Sequence, residues 1–364
     1  MASIKKRTDG RYRARYRDDA GKEHARHFDR KVDAQRWLDE VTADVLTGMY
    51  VDPRAGKITF GEYATKWQAS QIHRRNTAAM VDVALRVHAL PRFGDLPLAS
   101  IRQSDIQQWV YELSMKLKPS TVKVTYQHMR AVFRAAEADR IIGRSPCQRI
   151  TLPAIEKPEV VPLDTGIVLA IERHMPDHLG ALITLMAGTG MRPGEATAVT
   201  LDRVDFLRRT VRVDRQLLTR THTFGPPKTK ASHRTIPLPQ VVVDSLAAHI
   251  AEWGSGVDEM LFTAVNGSML NRDYVSRAFS RAAVKANAPA GTHLHSLRHY
   301  YASLLIRHGE SVKVVQARLG HSSAQETLDT YSHMWPDSED LTRAAVDEVL
   351  GASADYLRTA GEEP

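Results

Sequence analysis

The amino-acid sequence predicts a multidomain α+β protein. Its expected parts are a small three-stranded sheet with one helix, an all-α domain, and a mixed, mainly α domain with a small antiparallel sheet. Three observations predict this: 364 residues exceed one ordinary compact domain, the hydrophobic period changes from two to about 3.6 near residue 31, and proline-containing stretches interrupt the pattern twice. The predicted boundaries are 1–57, 58–150, a linker at 151–163, 164–335 and a C-terminal tail at 336–364.

The first 57 residues alternate between basic and apolar side chains and then become helical. Tyr12, Ala14 and Tyr16 share one face of a predicted strand. The opposite face carries four arginines: Arg11, Arg13, Arg15 and Arg17. A helical apolar stripe follows between residues 34 and 45. We expect a three-stranded sheet backed by one helix, with an arginine face suited to phosphates or to a groove; a solvated basic edge is the alternative interpretation.

Residues 58–150 predict a small helical domain. Thr59 and Glu62 form a capping-box pattern at the start of an apolar helix. Apolar residues at helical spacing predict further helices at 76–89, 104–117 and 120–139. The aromatic and methionine residues of these helices are expected to form the core.

Residues 164–335 combine the alternating pattern of strands with the helical spacing of apolar residues. Short strands are predicted near 204–213 and 232–237. Predicted helices lie near 165–175, 178–189, 239–251, 272–286, 296–308 and 312–318.

The charge is unevenly distributed along the chain. Residues 1–150 carry 28 Lys and Arg against 17 Asp and Glu, whereas the last 31 residues carry 2 against 8. This excess predicts a polyanion bound mainly by the first 150 residues. The single cysteine, Cys147, excludes an internal disulfide and is expected to be a small packed residue in a reducing cytosol. No apolar stretch follows the basic N-terminus, and the longest one, 179–187, is about half of a bilayer span, so we expect a cytoplasmic protein without a membrane partner.

Five short motifs carry the chemistry of the third region. TGMRPGE (189–195) ends a predicted helix, PPKTK (226–230) precedes a strand, and HSLRH (295–299) begins a helix. LGHSS (319–323) ends another helix, and TYSH (330–333) follows it. Paired guanidinium groups can clamp a phosphodiester without metal, and a phenol with a pKa of about 10 needs nearby cations and a proton acceptor to attack it.

The sequence contains no recognisable signature of nucleotide binding or of a two-metal site. No Gly-rich loop is followed by Lys-Ser/Thr, and Gly188-Thr189-Gly190 is too short for a dinucleotide fingerprint. Nor is there a carboxylate cluster suited to two metals. We therefore expect no ATP, no metal and no other cofactor.

In this order and at this spacing the five motifs resemble the tyrosine recombinase family, of the lambda-integrase-like phage integrase type, over residues 165–335. The resemblance implies an enzyme that cuts and rejoins DNA through a 3′-phosphotyrosyl bond. It also implies that 1–57 is an arm-site DNA-binding domain, 58–150 a core-binding domain and 164–335 the catalytic domain.

The resemblance further implies catalytic roles for six residues: Arg192, Lys228, His295, Arg298, His321 and Tyr331. Tyr331 is the nucleophile, and the two arginines hold the phosphate. His295 takes the proton of the nucleophile, His321 donates a hydrogen bond to the phosphate, and Lys228 is the general acid for the leaving 5′-oxygen. Glu195 is expected to orient its neighbours.

Several residues compete for these roles. Lys230 is an alternative to Lys228, although the family's lysine lies directly after the prolines. Tyr300 and Tyr301 are alternative nucleophiles, but we expect them to be packed core residues. The other histidines, including His299, are expected to be packing or surface residues.

Three other functions are compatible with parts of the sequence. His293-Leu294-His295 matches a short metal-binding signature of rolling-circle nickases, but a third ligand is missing. A type IB topoisomerase would share the catalytic set without needing the basic N-terminal sheet. A catalytically silent DNA-binding architectural protein would bind DNA and form no covalent adduct.

The partners implied by the resemblance are double-stranded DNA attachment sites and further copies of the chain. The working form would be a tetramer on two DNA sites that integrates or excises a phage or another mobile element. A host bending protein, a directionality factor and association with the nucleoid are implied in the same way. The acidic tail has apolar positions compatible with a helix that packs on a neighbouring protomer or caps its own domain.

Overall fold

The computed structural model shows an α+β protein, as predicted. It describes residues 2–17, 21–46, 55–156, 159–218, 223–227, 229–335, 343–344 and 346–350. The chain divides into two compact units, Met1–Lys157 and Pro158–Pro364. No helix in the described part of the chain is long and apolar enough to cross a membrane.

The chain begins with an antiparallel sheet in the order β1-β2-β3, covered by one helix. These elements are β1 (Ser3–Lys6), β2 (Tyr12–Arg17), β3 (Glu23–Phe28) and α1 (Lys31–Leu46). Ala14 and Tyr16 point inward from β2 and are buried against Ala34 and Leu38 of α1. The predicted sheet and helix are confirmed, since alternation on β2 places the apolar face on the helix.

Helices form the rest of the first unit. They are α2 (Phe60–Ser70), α3 (Arg75–Val83), a π-helical turn (Ala84–Ala89), α4 (Leu90–Phe93), α5 (Gln103–Ser114) and α6 (Pro119–Ala138). The capping box is confirmed: the Glu62 N–H donates to Thr59 Oγ1 at 3.2 Å, and the Thr59 N–H donates to Glu62 Oε2 at 3.0 Å. The helix predicted at 76–89 changes to the π form shortly before Pro91, which has no N–H to donate. Cys147 is buried in this core, as expected.

The second unit is built around α8. Its helices are α7 (Thr165–His174), α8 (Asp177–Thr189), α9 (Pro193–Ala196), α10 (Gln240–Trp253), α11 (Arg272–Lys285), α12 (Ser296–Arg307), α13 (Val312–Leu319) and α14 (Ala324–Tyr331). Most residues of α8 are buried, because it packs against α7, α10 and α12. This burial explains its nearly continuous apolar sequence.

Two small antiparallel sheets complete the second unit. Their strands are β4 (Val204–Asp205), β5 (Thr210–Val213), β6 (Gln216–Leu218), β7 (Thr223–Gly225) and β8 (Arg234–Pro237). One sheet has the order β4-β5-β8, with Val211 opposite Ile236, and its strands were predicted. The β6-β7 hairpin and α14 were not predicted. The described residues of the tail, 343–344 and 346–350, are helical and exposed.

Candidate active site

The first motif places Arg192 at a tight turn between α8 and α9. Gly190 ends α8 with a φ of 62°, and a Cβ at this position would lie 2.4 Å from Cδ1 of Tyr301. A glycine is therefore required both by the backbone conformation and by the available space. Pro193 then starts α9, and Arg192 is its N-terminal flanking residue. The turn directs the Arg192 side chain toward Gly320 of the LGHSS motif and toward Ser232, two residues beyond the PPKTK motif.

Arg192 is held by hydrogen bonds from three segments. Its Nη1 donates to Glu195 Oε1 at 3.0 Å and to Ser232 Oγ at 3.2 Å. Its Nη2 donates to the carbonyl of Gly320 at 3.3 Å. The backbone N–H of Arg192 donates to Glu195 Oε2 at 3.0 Å. These contacts fix the guanidinium before any ligand arrives.

Glu195 is the centre of this arrangement. It is only 3% exposed, and Arg234, itself buried, donates to its Oε2 at 2.9 Å. Burial alone would raise the pKa of Glu195, but Arg234 and Arg192 outweigh burial and hold it below the ordinary value. The expectation that Glu195 orients its neighbours agrees with these contacts. Arg234 and Ser232 were missed, because nothing in their spacing indicates a shared carboxylate.

Arg298 lies in the first turn of α12 and is 1% exposed. Its Nη1 donates to the carbonyl of Gly190 at 2.8 Å, but Nη2 has no hydrogen-bond partner among the described residues. Burial, followed by the charge of Arg192, lowers the pKa of Arg298 to about 10. A buried guanidinium with an unsatisfied donor is costly in free energy unless an anion binds it. The site is therefore built for an anion.

Tyr331 ends α14 and is 1% exposed. Its hydroxyl oxygen lies 2.9 Å from Nδ1 of His299. The ring of His321 stacks on it, with centroids 6.4 Å apart and planes at 11°. Burial raises the pKa of Tyr331 to about 12, although Arg298 opposes the rise. At neutral pH only about one molecule in 10⁵ would carry the phenolate, so attack requires a proton acceptor.

Three histidines surround the tyrosine and Arg298. His295 precedes α12, and its ring centroid is 5.0 Å from that of His299. Nδ1 of His321 is 2.8 Å from Oγ1 of Thr327, which orients this ring. Burial, followed by the charge of Arg298, lowers the pKa of His295 to about 3 and that of His321 to about 4, while Glu326 partly opposes the shift at His321. Both rings are therefore neutral at pH 7.

The outcome differs among the predicted site residues. Five lie in this part of the second unit: Arg192, His295, Arg298, His321 and Tyr331. Lys228 lies outside the described residues, and its alternative Lys230 is exposed. Tyr300 and Tyr301 are buried, as expected for packed residues.

His299, which we expected to be a packing or surface residue, is half-buried beside Tyr331. It contacts the hydroxyl of Tyr331, whereas no hydrogen bond joins His295 to that hydroxyl among the described residues. One signal was present in the sequence: residues 295 and 299 are four apart, so they lie on the same side of a helical turn.

The arginine face of β2 is exposed, in contrast to the buried arginines of the second unit. Arg13 and Arg15 lie 3.5 and 3.8 Å from the carboxylate of Glu23, and Arg11 lies 3.2 Å from that of Asp29. The four predicted side chains are thus available at the surface, and three are partly neutralised by carboxylates.

Known proteins match the chain along most of its length. The family models "Phage integrase, N-terminal domain", "Phage integrase central domain" and "Phage integrase family" match residues 2–47, 60–152 and 167–337. The prophage phiRv2 integrase of Mycobacterium tuberculosis is 28% identical over 91% of this chain and 90% of that protein. The integrase of Mycobacterium phage L5 is 24% identical over 90% of this chain and 92% of that protein.

Solved structures share the fold. The Tn1549 transposon integrase in complex with transposon right end DNA has a TM-score of 0.70 at 23% identity, covering 80% of this chain and all of that one. A lambda integrase tetramer bound to a Holliday junction has a TM-score of 0.61 at 19% identity, covering 89% of this chain and 96% of that one. Family models therefore match the N-terminal, central and C-terminal parts in sequence order, and the chain belongs to the phage integrase family of tyrosine-type site-specific recombinases.

Proposed function

We propose that Arg298 binds the scissile phosphate of a DNA attachment site and that Tyr331 attacks it. The observation that carries this proposal is the buried Arg298 Nη2, which lacks a partner among the described residues and belongs to a side chain whose charge acts on the buried Tyr331. A phosphate oxygen would satisfy this donor and offset the uncompensated charge. Arg192, already fixed by Glu195, would hold a second oxygen.

The reaction is a pair of transesterifications on each strand. The Tyr331 oxygen forms a bond to phosphorus, and the bond from phosphorus to the 5′-oxygen breaks, which leaves a 3′-phosphotyrosyl link and a free 5′-hydroxyl. A 5′-hydroxyl of the partner strand then attacks this link and releases Tyr331. Because the bond energy is kept in the adduct, no cofactor is needed. The two arginines offset the charge that develops on the non-bridging oxygens.

The other proposed roles follow the family resemblance. Lys228 protonates the leaving 5′-oxygen, and His321 donates a hydrogen bond to the phosphate. Neutral His321 can do so through Nε2, provided that Nδ1 accepts the hydrogen bond from Thr327. The arginine face of β2 contacts a second stretch of DNA, mainly through its phosphates.

The proposed assembly is a tetramer on two attachment sites in the cytoplasm. It integrates or excises a phage or another mobile element, with a host bending protein and a directionality factor as accessory partners. The lambda integrase tetramer bound to a Holliday junction supports this arrangement by analogy of fold.

A trapped covalent adduct tests the proposed function. The core sequence is found by nuclease protection: it is the segment of the DNA flanking the gene that the bound protein shields from digestion. A duplex of this sequence with a nick near the cleavage point traps the adduct. On a denaturing gel the wild type is expected to form the adduct in excess chelator. Tyr331→Phe should bind the duplex and form none, whereas Tyr300→Phe and Tyr301→Phe should still form it.

Two results would contradict the proposal. An adduct from Tyr331→Phe would remove this residue as the nucleophile. Loss of cleavage on chelation and rescue by a divalent ion would favour a nickase with His293 and His295 as ligands.

A further inference from the structure

The nucleophile already has a hydrogen-bond partner that the resemblance does not assign. The Tyr331 hydroxyl oxygen and His299 Nδ1 are 2.9 Å apart, and the two ring centroids are 5.6 Å apart with planes at 64°. This distance is within the range over which a general base takes a proton. His295, the acceptor implied by the family resemblance, contacts the ring of His299 instead, at 5.0 Å and nearly perpendicular.

We propose that His299 is a catalytic residue, which takes the proton of Tyr331 during cleavage and returns it during rejoining. This role rests on the proposed function, because it presupposes that Tyr331 is the nucleophile. It replaces His295 as the direct acceptor and leaves His295 as a neighbour that packs edge-on against the acceptor ring.

The surroundings of His299 keep the ring neutral in the absence of DNA, so that one of its nitrogens has a free lone pair. Burial, followed by the charges of His293 and Arg298, lowers its pKa to about 4, so the ring is neutral at pH 7. A neutral imidazole has one nitrogen with a free lone pair, and a hydroxyl donated by Tyr331 would select Nδ1 for that lone pair and leave the proton on Nε2. Among the described residues, the groups found to interact with the ring are two histidines, an arginine and the tyrosine.

Binding of DNA would supply the negative charge that stabilises the protonated ring of His299. The imidazolium that forms is opposed by Arg298, and a phosphate anion held by Arg192 and Arg298 would offset both cations. The proton moves from the Tyr331 oxygen to His299 Nδ1 as the bond from that oxygen to phosphorus forms and the bond to the 5′-oxygen breaks. In rejoining, the same proton returns to the Tyr331 oxygen as it leaves phosphorus. The base is therefore effective only when the phosphate is present.

His299 could instead do no more than hold the tyrosine in place, and an asparagine variant separates the two roles. In His299→Asn the amide lies near the position of Nδ1, so it can keep a hydrogen bond to the hydroxyl but cannot take its proton. A base contributes about 10²–10⁴-fold to a proton transfer, whereas a retained hydrogen bond would leave the rate near that of the wild type. His308→Gln, at the exposed other end of the same helix, is the matched control.

The test measures the rate of adduct formation on the nicked core duplex. We expect His299→Asn to bind this DNA normally and to lose at least about 100-fold in rate, with His308→Gln unchanged. A second duplex with sulfur in place of the bridging 5′-oxygen removes the need to protonate the leaving group. His299→Asn should remain slow on this duplex, because its defect lies in the nucleophile.

Three outcomes would overturn the role of His299. They are a rate for His299→Asn within a few-fold of the wild type, rescue of this variant by the sulfur substrate, and a nitrogen resonance showing the proton on Nδ1 of His299. The position of the proton is measured by NMR of the histidine side chains in the DNA-free wild type. As a control, the Nδ1 signal of His299 should shift in Tyr331→Phe. Neither measurement depends on the folding of a His299 variant. A wild type that forms no adduct would overturn the proposed function itself, whereas a wild-type adduct with an equally fast His299→Asn would overturn this role alone.

Discussion

Arginines serve the molecule in two contrasting ways, on β2 in the first unit and around α12 in the second. Arg13 and Arg15 are exposed and share the exposed carboxylate of Glu23 at 3.5 and 3.8 Å. Hydrogen bonds fix the half-buried Arg192 and the buried Arg298, and one nitrogen of Arg298 has no partner among the described residues. Exposed cations attract a polyanion weakly and in a salt-dependent way, whereas fixed buried cations select one phosphate geometry. The first surface is suited to binding and the second to chemistry.

Deleting residues 1–57 should separate these two tasks most strongly. Residues 58–364 are expected to form the Tyr331 adduct on a core duplex at the rate of the full chain. Their integration activity between natural attachment sites should fall by about 10²–10⁴-fold. The reason is that the deleted region would provide a second, linked contact with DNA, which raises the effective concentration of the DNA at the core-binding part of the chain. Adduct gels and a two-site integration assay measure the two activities. Equal integration by both chains would show that the N-terminal sheet is dispensable.

Arg298→Lys tests the buried side of the comparison. A lysine keeps the charge but loses the forked donors, so the cleavage rate is expected to fall by about 10²–10³-fold with little change in DNA affinity. Arg307→Lys, an exposed residue at the end of the same helix, is the control. If the affinity fell as much as the rate, Arg298 would serve binding and not the transition state.

Glu195→Gln tests whether the arginines depend on their shared carboxylate. Removing one partner of a buried ion pair is expected to lower the free energy of unfolding by about 3 kcal/mol at pH 7. The pKa of Glu195 is lowered in the fold, so its stabilisation is present above its ordinary pKa of 4.5 and is lost as pH falls through the folded-state value. Urea unfolding of the variant and wild type should therefore converge in acid. The exposed Glu252→Gln should match the wild type at each pH.

Glu23→Gln should have the smallest effect of these changes, and it should strengthen DNA binding where the others weaken an activity or the fold. Releasing Arg13 and Arg15 from an exposed carboxylate is worth up to about 1 kcal/mol, so DNA binding should tighten by up to about five-fold at low salt. Titrations at several salt concentrations measure this change, with the exposed Glu40→Gln as the control. Unchanged binding would mean that the arginine face of β2 does not contact DNA.

Local patterns predicted the first unit well. The alternation on β2 and the Thr59–Glu62 capping box act over a few residues, so the sequence contains nearly all the information that determines them. The π-helical turn before Pro91 was missed, although the proline without an N–H is visible in the sequence. In this unit the errors concern the form of a helix and not its existence.

The site was predictable by residue type but not by contact. The motifs identified Arg192, Arg298 and Tyr331, because each motif lies at the end of an element. The sequence did not predict the hydrogen bond between His299 and Tyr331, since it joins residues that are 32 positions apart in the chain. The convergence of Arg192 and Arg234 on Glu195 is also a tertiary contact, invisible to spacing rules.

Mass spectrometry of the trapped adduct would identify the residue that is bonded to the DNA. The wild-type chain is allowed to react with the nicked core duplex, digested with protease and nuclease, and sequenced by fragmentation. We expect a nucleotide 3′-phosphate on the peptide that contains Tyr331 and on no other tyrosine peptide. A nucleotide on Tyr300, on Tyr301 or on any other residue would contradict the assignment of Tyr331 as the nucleophile.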